Sequence, residues 1–433
     1  MRRRAGRRSD RGPPVSTAPG RGAAVTTAAP QDRHSALVES GVSTRVRVAV
    51  IGGGIIGLAS AWQLARAGCQ VTVLDPGVAG GATHAAAGMI TPSSEATFGQ
   101  EALLAASTAS AGRWPAFAAD LAADSGLPID LRREGTLFVA ADHDDEQVLA
   151  RQARLLERYH RAVERLPSRA ARRLEPALSP RLAGCLVIED ESAVDPRRVA
   201  HALRIAITSR GGEFRPLLAR PELRDRRIVG AEPAVEPTRR SVEPVGHARP
   251  HSSHADVTVL AAGWATSGLA AHLGLRVPIR PLKGQVLRLR PAAPDVLHRI
   301  VRASVHGRFV YLVPRSDGEV VVGATSEDVG ADPSVTAGAV HDLLHDAIEI
   351  VPELSEAALV ESTAGLRPAT PDNLPVVGPS GVDGLVVAAG HGRDGILLAP
   401  LTADAVVAHV LGLPQPEHAD HFDPRRFGTQ EDE

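Results

Sequence analysis

Gly52, Gly53, Gly54 and Gly57 open the chemistry of this chain because of what flanks them. An apolar run, Val48 to Ile51, leads into the glycines. A helix-like apolar stretch follows, and then a second β-like run, Val71 to Leu74, closes on Asp75. Strand, glycine turn, helix, strand and acid, in that order, make a dinucleotide-binding βαβ unit. Gly52 permits the tight turn, Gly54 lets backbone approach a pyrophosphate, and Gly57 lets the helix lie close to the sheet. The pyrophosphate is expected at the positive end of the helix, with Asp75 accepting a hydrogen bond from the adenosine ribose.

A second place points the same way. VAAGHGRDGILLAP, Val387 to Pro400, passes from strand through a tight turn into an apolar helix. It aims another helix N-terminus, at Gly395 to Leu397, toward something anionic. In a flavoenzyme that target is the N1–C2=O edge of the isoalloxazine, where negative charge develops on reduction. VLAAGW, Val259 to Trp264, is a third strand end built of small residues, with Gly263 where backbone passes beside a nucleotide.

The elements that must position these turns follow from composition and pattern. The chain has 433 residues, 43% hydrophobic and 23% charged, with net charge −2. That length predicts two domains, and the charge gives no basic field for nucleic acid. Residues 1–44 are rich in Arg, Pro, Gly and Ala without a periodic apolar face, so a disordered basic tail is expected there. It lacks the apolar centre of a secretory signal. Two cysteines argue against a disulfide framework, and no apolar run reaches membrane-spanning length. A cytoplasmic protein is expected, with no membrane or nucleic-acid partner. Helices are predicted near Leu103 to Ala122, at Asp144 to Leu166, from Asp195-Pro196 to about Ser209, near Ala339 to Ile350, and at Gly395 to Leu411. Strands are predicted at Gly135 to Ala140, Val257 to Gly263, Gly284 to Leu289, Arg308 to Val313, Glu319 to Gly323 and Leu385 to Gly392. Residues 79–97 are read as a loop. The Pro- and Arg-rich stretch 216–254 is also read as a loop, with His247, His251 and His254 at spacings that make no metal site.

The expected fold is α/β. A discontinuous Rossmann-like domain would comprise residues 45–135, 185–215, 255–275 and 365–415. An antiparallel-sheet substrate domain would comprise 136–184 and 276–364, and 416–433 is read as a tail.

At this point the sequence resembles the glycine oxidases of thiamine biosynthesis, within the amino-acid oxidase group that includes D-amino-acid and sarcosine oxidases. The resemblance runs from about Val46 to Leu413. It rests on GGGIIG, THAAAGM, PLKGQ, YLVPR, VVGATSEDVG, AGLRPATPD and GHGRDGILLAP, in that order. It implies a noncovalent FAD, since AGLRP has no cysteine where sarcosine oxidases attach flavin. Ile55, Ile56, Asp75, Thr83, His84, Ala87, Gly88 and Met89 would line the adenine, ribose and pyrophosphate. His391, Gly392, Arg393, Asp394, Gly395, Ile396 and Leu397 would hold the isoalloxazine.

Arg367 would clamp the substrate carboxylate, Arg393 would supply a second positive group, and Tyr311 would hydrogen-bond the substrate. A planar guanidinium suits that task because it grips a carboxylate at two points. Lys283, the only lysine, is read equally as a cation that favours electron transfer to O2 and as a strand-edge lysine pairing an acid. The implied reaction is hydride transfer from Cα to flavin N5. It gives an imine, then a 2-oxo acid and ammonia, with H2O2 from O2, or an imine delivered to thiazole synthase. The implied partners are a small amino acid, O2 and further copies of the chain.

Relatives often carry an aromatic residue at Gly392, Asn at Asp394 and, in some, His at Phe309, so the preferred amine stays open. A D-amino-acid dehydrogenase or sarcosine oxidase-like enzyme of the same fold, and a noncatalytic or tRNA-modifying FAD protein, are the alternatives.

Overall fold

Alternation along the first β run sets the architecture. In the computed structural model, which describes residues 45–77, 81–234 and 253–428, the strand Arg47–Ile51 lies at the centre of a six-stranded sheet. Gln70–Leu74 and then Glu213–Arg215 continue the sheet in parallel on one side. Val257–Leu260 and then Leu385–Ala389 do so on the other, and Val376–Pro379 closes that edge antiparallel.

Because successive side chains point to opposite faces, Val48 and Val50 pack under helices while Ala49 and Ile51 face the other way. The helical layer contains Ile55–Arg66, Glu101–Ser125, Pro196–Ser209 and Gly395–Leu411. Trp62, Trp114, Leu121, Leu203 and Leu398 are buried there. Opposite lies a three-stranded antiparallel sheet, Ala219–Arg224, Arg227–Pro233 and Ser253–His254, which buries Ile228 and Ala231 against Ile51 and Leu260.

A second sheet has eight strands, ordered Ala358–Ala369, Arg280–Arg290, Val320–Gly323, Arg308–Pro314, Ile300–Val305, Thr136–Ala140, Gly184–Ile188 and Glu164–Leu166. Every pairing is antiparallel except that of Ile300–Val305 with Thr136–Ala140. One face is covered by the helix Ala337–Ile350 through Leu343, Ala347 and Ile350.

Several expected boundaries move. The helix expected over Asp144 to Leu166 ends at Arg158, where Tyr159 and a left-handed His160 turn the chain, and Glu164–Leu166 becomes a strand. Cys185 to Ile188 and Gly365 to Ala369, assigned above to the nucleotide domain, are strands of the eight-stranded sheet. Residues 216–254 are not a simple loop, since two full strands and one short one form within them; His247 and His251 lie outside the described residues. The loop 79–97 holds a short helix, Ala82–Ala85. The expected tail turns back to bury Phe422 in the helical core. The expected disordered segment, 1–44, also lies outside the described residues. The described residues beyond it belong to one compact unit. No helix among the described residues is long and apolar enough to cross a membrane.

Candidate active site

The first glycine turn is locked by its own backbone. Gly52 has φ of +112°, and a Cβ there would stand 2.3 Å from the carbonyl oxygen of Ala261. A Cβ on Gly57 would stand 2.0 Å from the carbonyl oxygen of Gly52, so helix and turn touch through bare backbone. Gly54 differs: a Cβ would meet only Thr83 Oγ1, at 3.5 Å, leaving its outward side open. The first i→i−4 bond of the helix is Leu58 N to Gly54 O, 2.9 Å. Thr83 Oγ1 accepts from Ile55 N at 2.9 Å, and no acid occupies the first turn. The Ile56 and Gly57 amides precede that first bond and point where a phosphate is favoured.

Asp75 accepts hydrogen bonds from Gly53 N at 2.7 Å and Gly77 N at 2.8 Å. A carboxylate has further lone pairs for a ribose hydroxyl, and here it also fixes the turn.

The Ala82–Ala85 helix and the segment to Met89 are held from outside. His84 Nε2 is 3.4 Å from Glu361 Oε1, and its carbonyl accepts from Arg197 Nε. Arg197 in turn forms a two-point ion pair with Glu361 at 2.9 and 2.7 Å. Gly88 O accepts from Val194 N, and Met89 pairs with Ala193. Arg315, the arginine of YLVPR, is buried and donates to Ala87 O at 2.6 Å and Val194 O at 2.9 Å. Burial lowers its pKa to about 10, well above neutrality, so it stays charged.

Sequence reasoning passed over Arg315; its place at the end of YLVPR was the available signal. Arg315→Met should leave two buried carbonyl oxygens without that donor, at about 1–3 kcal/mol each. FAD affinity, measured by flavin fluorescence on dilution, is expected to fall at least tenfold; unchanged affinity would show that the loop holds without it.

The C-terminal turn is equally constrained. Gly263 has φ of +60° and opens a short 3-10 turn just past the Val257–Leu260 strand. Gly392, at φ +54°, donates to Pro368 O at 2.8 Å. His391 is buried, with Nε2 2.8 Å from Thr402 Oγ1 and Nδ1 without a partner. Burial lowers its pKa to about 3, so the ring is neutral. The next helix begins at Gly395, its first i→i−4 bond being Leu398 N to Asp394 O. The amides of Gly395, Ile396 and Leu397 therefore remain available. Pro400 removes the amide that would bond Ile396 O. Leu397 O instead accepts from Ser110 Oγ at 2.7 Å and Trp114 Nε1 at 3.2 Å. That clamp ties the helix start to Glu101–Ser125.

On the eight-stranded sheet, Arg367 lies over Gly284. A Cβ at 284 would sit 2.2 Å from Arg367 Nη1, so glycine is what leaves the guanidinium room. Arg367 donates to the carbonyl oxygens of Thr325 at 3.0 Å and Lys283 at 3.4 Å, and to no carboxylate. Tyr311 lies beside it: burial raises the phenol pKa, with Arg367 opposing that rise. Opposite Tyr311 in register is Arg302, set against the rings of Phe138 and Phe309 and bonded to Glu95 Oε1 at 3.2 Å. Arg393 donates to Glu95 O at 3.0 Å, and the Glu95 charge raises its pKa.

A cleft beside Glu95 and Arg393 is lined also by Thr91, Leu104, Asp394 and Leu397, and so reaches the helix start. Glu95 and Arg302 went unremarked in the sequence reading. Glu95 follows the AAAGM loop by six residues, which was a usable signal; nothing local marked Arg302.

Lys283 extends from the other face of its strand. Its ammonium lies 3.5 Å from Glu327 and 3.4 Å from Asp332 and is almost fully buried. That geometry favours the ion-pair reading. Both cysteines are buried, which raises their pKa values to about 11 for Cys69 and 12 for Cys185. Asp142, Asp145 and His306 cluster as metal ligands would, but Asp142 caps a helix and Asp145 accepts from Ser304, His306 and Gly307.

Two helix starts with free amides, an open glycine turn and a buried imidazole with one unpartnered nitrogen suit an extended dinucleotide that carries a pyrophosphate and an aromatic ring system. Residues 47–409 match the FAD dependent oxidoreductase family. The chain belongs to that family. The sequence resemblance therefore holds, and with it the α/β FAD-binding fold, FAD as cofactor and an FAD-dependent amino-acid oxidase.

Among its relatives is the glycine oxidase of Geobacillus kaustophilus, 32% identical over 83% of this chain and 91% of that protein. The crystal structure of glycine oxidase from that organism superposes with a TM-score of 0.78 at 31% identity, covering 88% of this chain and 99% of that one. A bifunctional ThiO/ThiG protein of Trichormus variabilis is 31% identical over 88% of this chain, which spans only 55% of it.

Proposed function

We propose that this FAD enzyme oxidises glycine or a similarly small amino acid or secondary amine at Cα, with O2 as electron acceptor, giving an imine and H2O2. The observation that carries this is Arg367. Its guanidinium is seated over Gly284, donates to the carbonyl oxygens of Thr325 and Lys283, is set beside the Tyr311 hydroxyl, and among the described residues has no carboxylate partner. A substrate carboxylate completes that arrangement with charge-assisted hydrogen bonds. Arg393 adds a second cation beside the cleft, held to the loop by Glu95 O. Glu95 itself is fixed by Arg302, so its carboxylate holds the cleft wall.

Bound FAD supplies the two-electron acceptor. The protein fixes the carboxylate at one end so that the Cα–H is presented in one orientation, which saves the entropy of alignment. Water hydrolyses a released imine to a 2-oxo acid and ammonia. The relative joined to ThiG supports the alternative fate, delivery of the imine to thiazole assembly. Oxygen consumption with glycine, sarcosine and D-alanine, together with peroxide detection, tests the acceptor. Turnover with O2 and stoichiometric H2O2 is expected. Turnover only with an added quinone would make the enzyme a dehydrogenase.

A further inference from the structure

Asp394 is a residue whose side chain the fold leaves without a partner. It is 8% exposed and is the N-cap of the Gly395–Leu411 helix, yet its carboxyl makes no capping hydrogen bond. Its main chain is satisfied, N donating to His391 O and O accepting from Leu398 N. The adjacent Arg393 donates to Glu95 O and acts on Asp394 through its charge alone. Asp394 lines the cleft, and a carboxylate largely drawn out of water there without a hydrogen bond or ion pair is pushed toward its protonated form. Burial indeed raises its pKa to about 6.

The charged groups that act on it are Arg393 in its own turn, Glu95 on the facing loop, and Arg302 on the eight-stranded sheet. The two arginines favour its ionised form and Glu95 opposes it. Its position matters because the helix that it caps offers the free amides of Gly395 to Leu397 to the negative charge that a flavin gains on reduction.

We propose that Asp394 is a proton acceptor coupled to flavin reduction, taking up one proton when the bound FAD gains two electrons. The balance is simple. Two electrons and one proton leave the reduced cofactor with one more negative charge than the oxidised form. A carboxylate close to that charge binds a second proton from solvent, because like charges in a site of low dielectric cannot both persist. Between the Asp394 pKa values of the oxidised and reduced holoenzyme, reduction therefore takes up two protons per two electrons. Above that window it takes up one, with the carboxylate and the reduced cofactor both charged. Below it the carboxyl is already protonated, and it again takes up one.

The test is the midpoint potential of the purified holoenzyme, measured by dithionite titration against indicator dyes from pH 5 to pH 9. In the wild-type protein the slope of potential against pH is expected to double across an interval beginning near the Asp394 pKa. Asp394→Asn, nearly the same shape and always neutral, should give a single shallow slope and a higher potential than wild type at the alkaline end. Asp394→Glu should restore the steeper interval. A uniform slope in the wild-type protein overturns the proposal, even if the asparagine variant fails to retain FAD. An identical steep interval in Asp394→Asn also overturns it and assigns the proton to another group. Dithionite replaces the amine as reductant, so the outcome is independent of which amino acid the enzyme oxidises.

Discussion

Replacing Arg367 with alanine is expected to raise KM for a small amino acid by about 100-fold while FAD stays bound. The guanidinium donates to the carbonyls of Lys283 and Thr325 and has no carboxylate partner among the described residues, so removing it strands no acid there. The loss falls on the substrate. Removing one member of a desolvated charge pair costs about 2–5 kcal/mol, and 1.4 kcal/mol is tenfold. Gly284 lies directly under the group, so the variant leaves a void rather than a clash. Steady-state kinetics with a matched flavin spectrum separate the outcomes. A steep rise in KM with an unchanged spectrum supports the clamp. An unchanged KM would remove Arg367 from the substrate site.

Gly57→Ala is expected to abolish FAD retention and lower thermal stability. A Cβ at that position would meet the Gly52 carbonyl oxygen at 2.0 Å, a backbone contact with no flexible side chain to move aside. Relief requires the helix to lift from Gly52, misaligning the Ile56 and Gly57 amides. Overpacking of this kind costs about 1–3 kcal/mol or more. Gly54→Ala is the control, since a Cβ there meets only Thr83 Oγ1 at 3.5 Å; it should keep its thermal stability and weaken FAD binding alone. Thermal scans and flavin content after gel filtration measure both effects. Normal flavin content in Gly57→Ala would show that the turn tolerates separation.

What the sequence made legible was local. The βαβ unit could be read because each glycine acts within a few residues of itself, and because alternation in Val48 to Ile51 divides two faces. The Asp195-Pro196 helix start is likewise local, with Asp195 accepting from Arg197 N and Arg198 N. Arg367, Arg393 and Tyr311 became candidates only through resemblance, since arginine alone carries no signal among 48 basic residues.

The remainder depended on distance. Arg302 meets Glu95 across 207 positions and Arg315 reaches Ala87 across 228. No spacing rule spans such gaps. The strands within 216–254 were obscured by Pro221 and Pro233, which argue against a strand unless they fall at an edge or an end. Pro233 does lie at a strand end, and Pro221 is on Ala219–Arg224, an edge of the three-stranded sheet. Lys283 remained ambiguous until its two acids were placed, because Asp332 lies 49 residues away.

The reaction proposed is reduction of the bound FAD by a small amino acid. Anaerobic addition of glycine, sarcosine or D-alanine to the purified yellow protein tests it most directly, by following the visible flavin absorbance. Bleaching by at least one of the three is expected, reversed when air is admitted. A flavin spectrum that none of the three changes, in protein that dithionite does bleach, would contradict it.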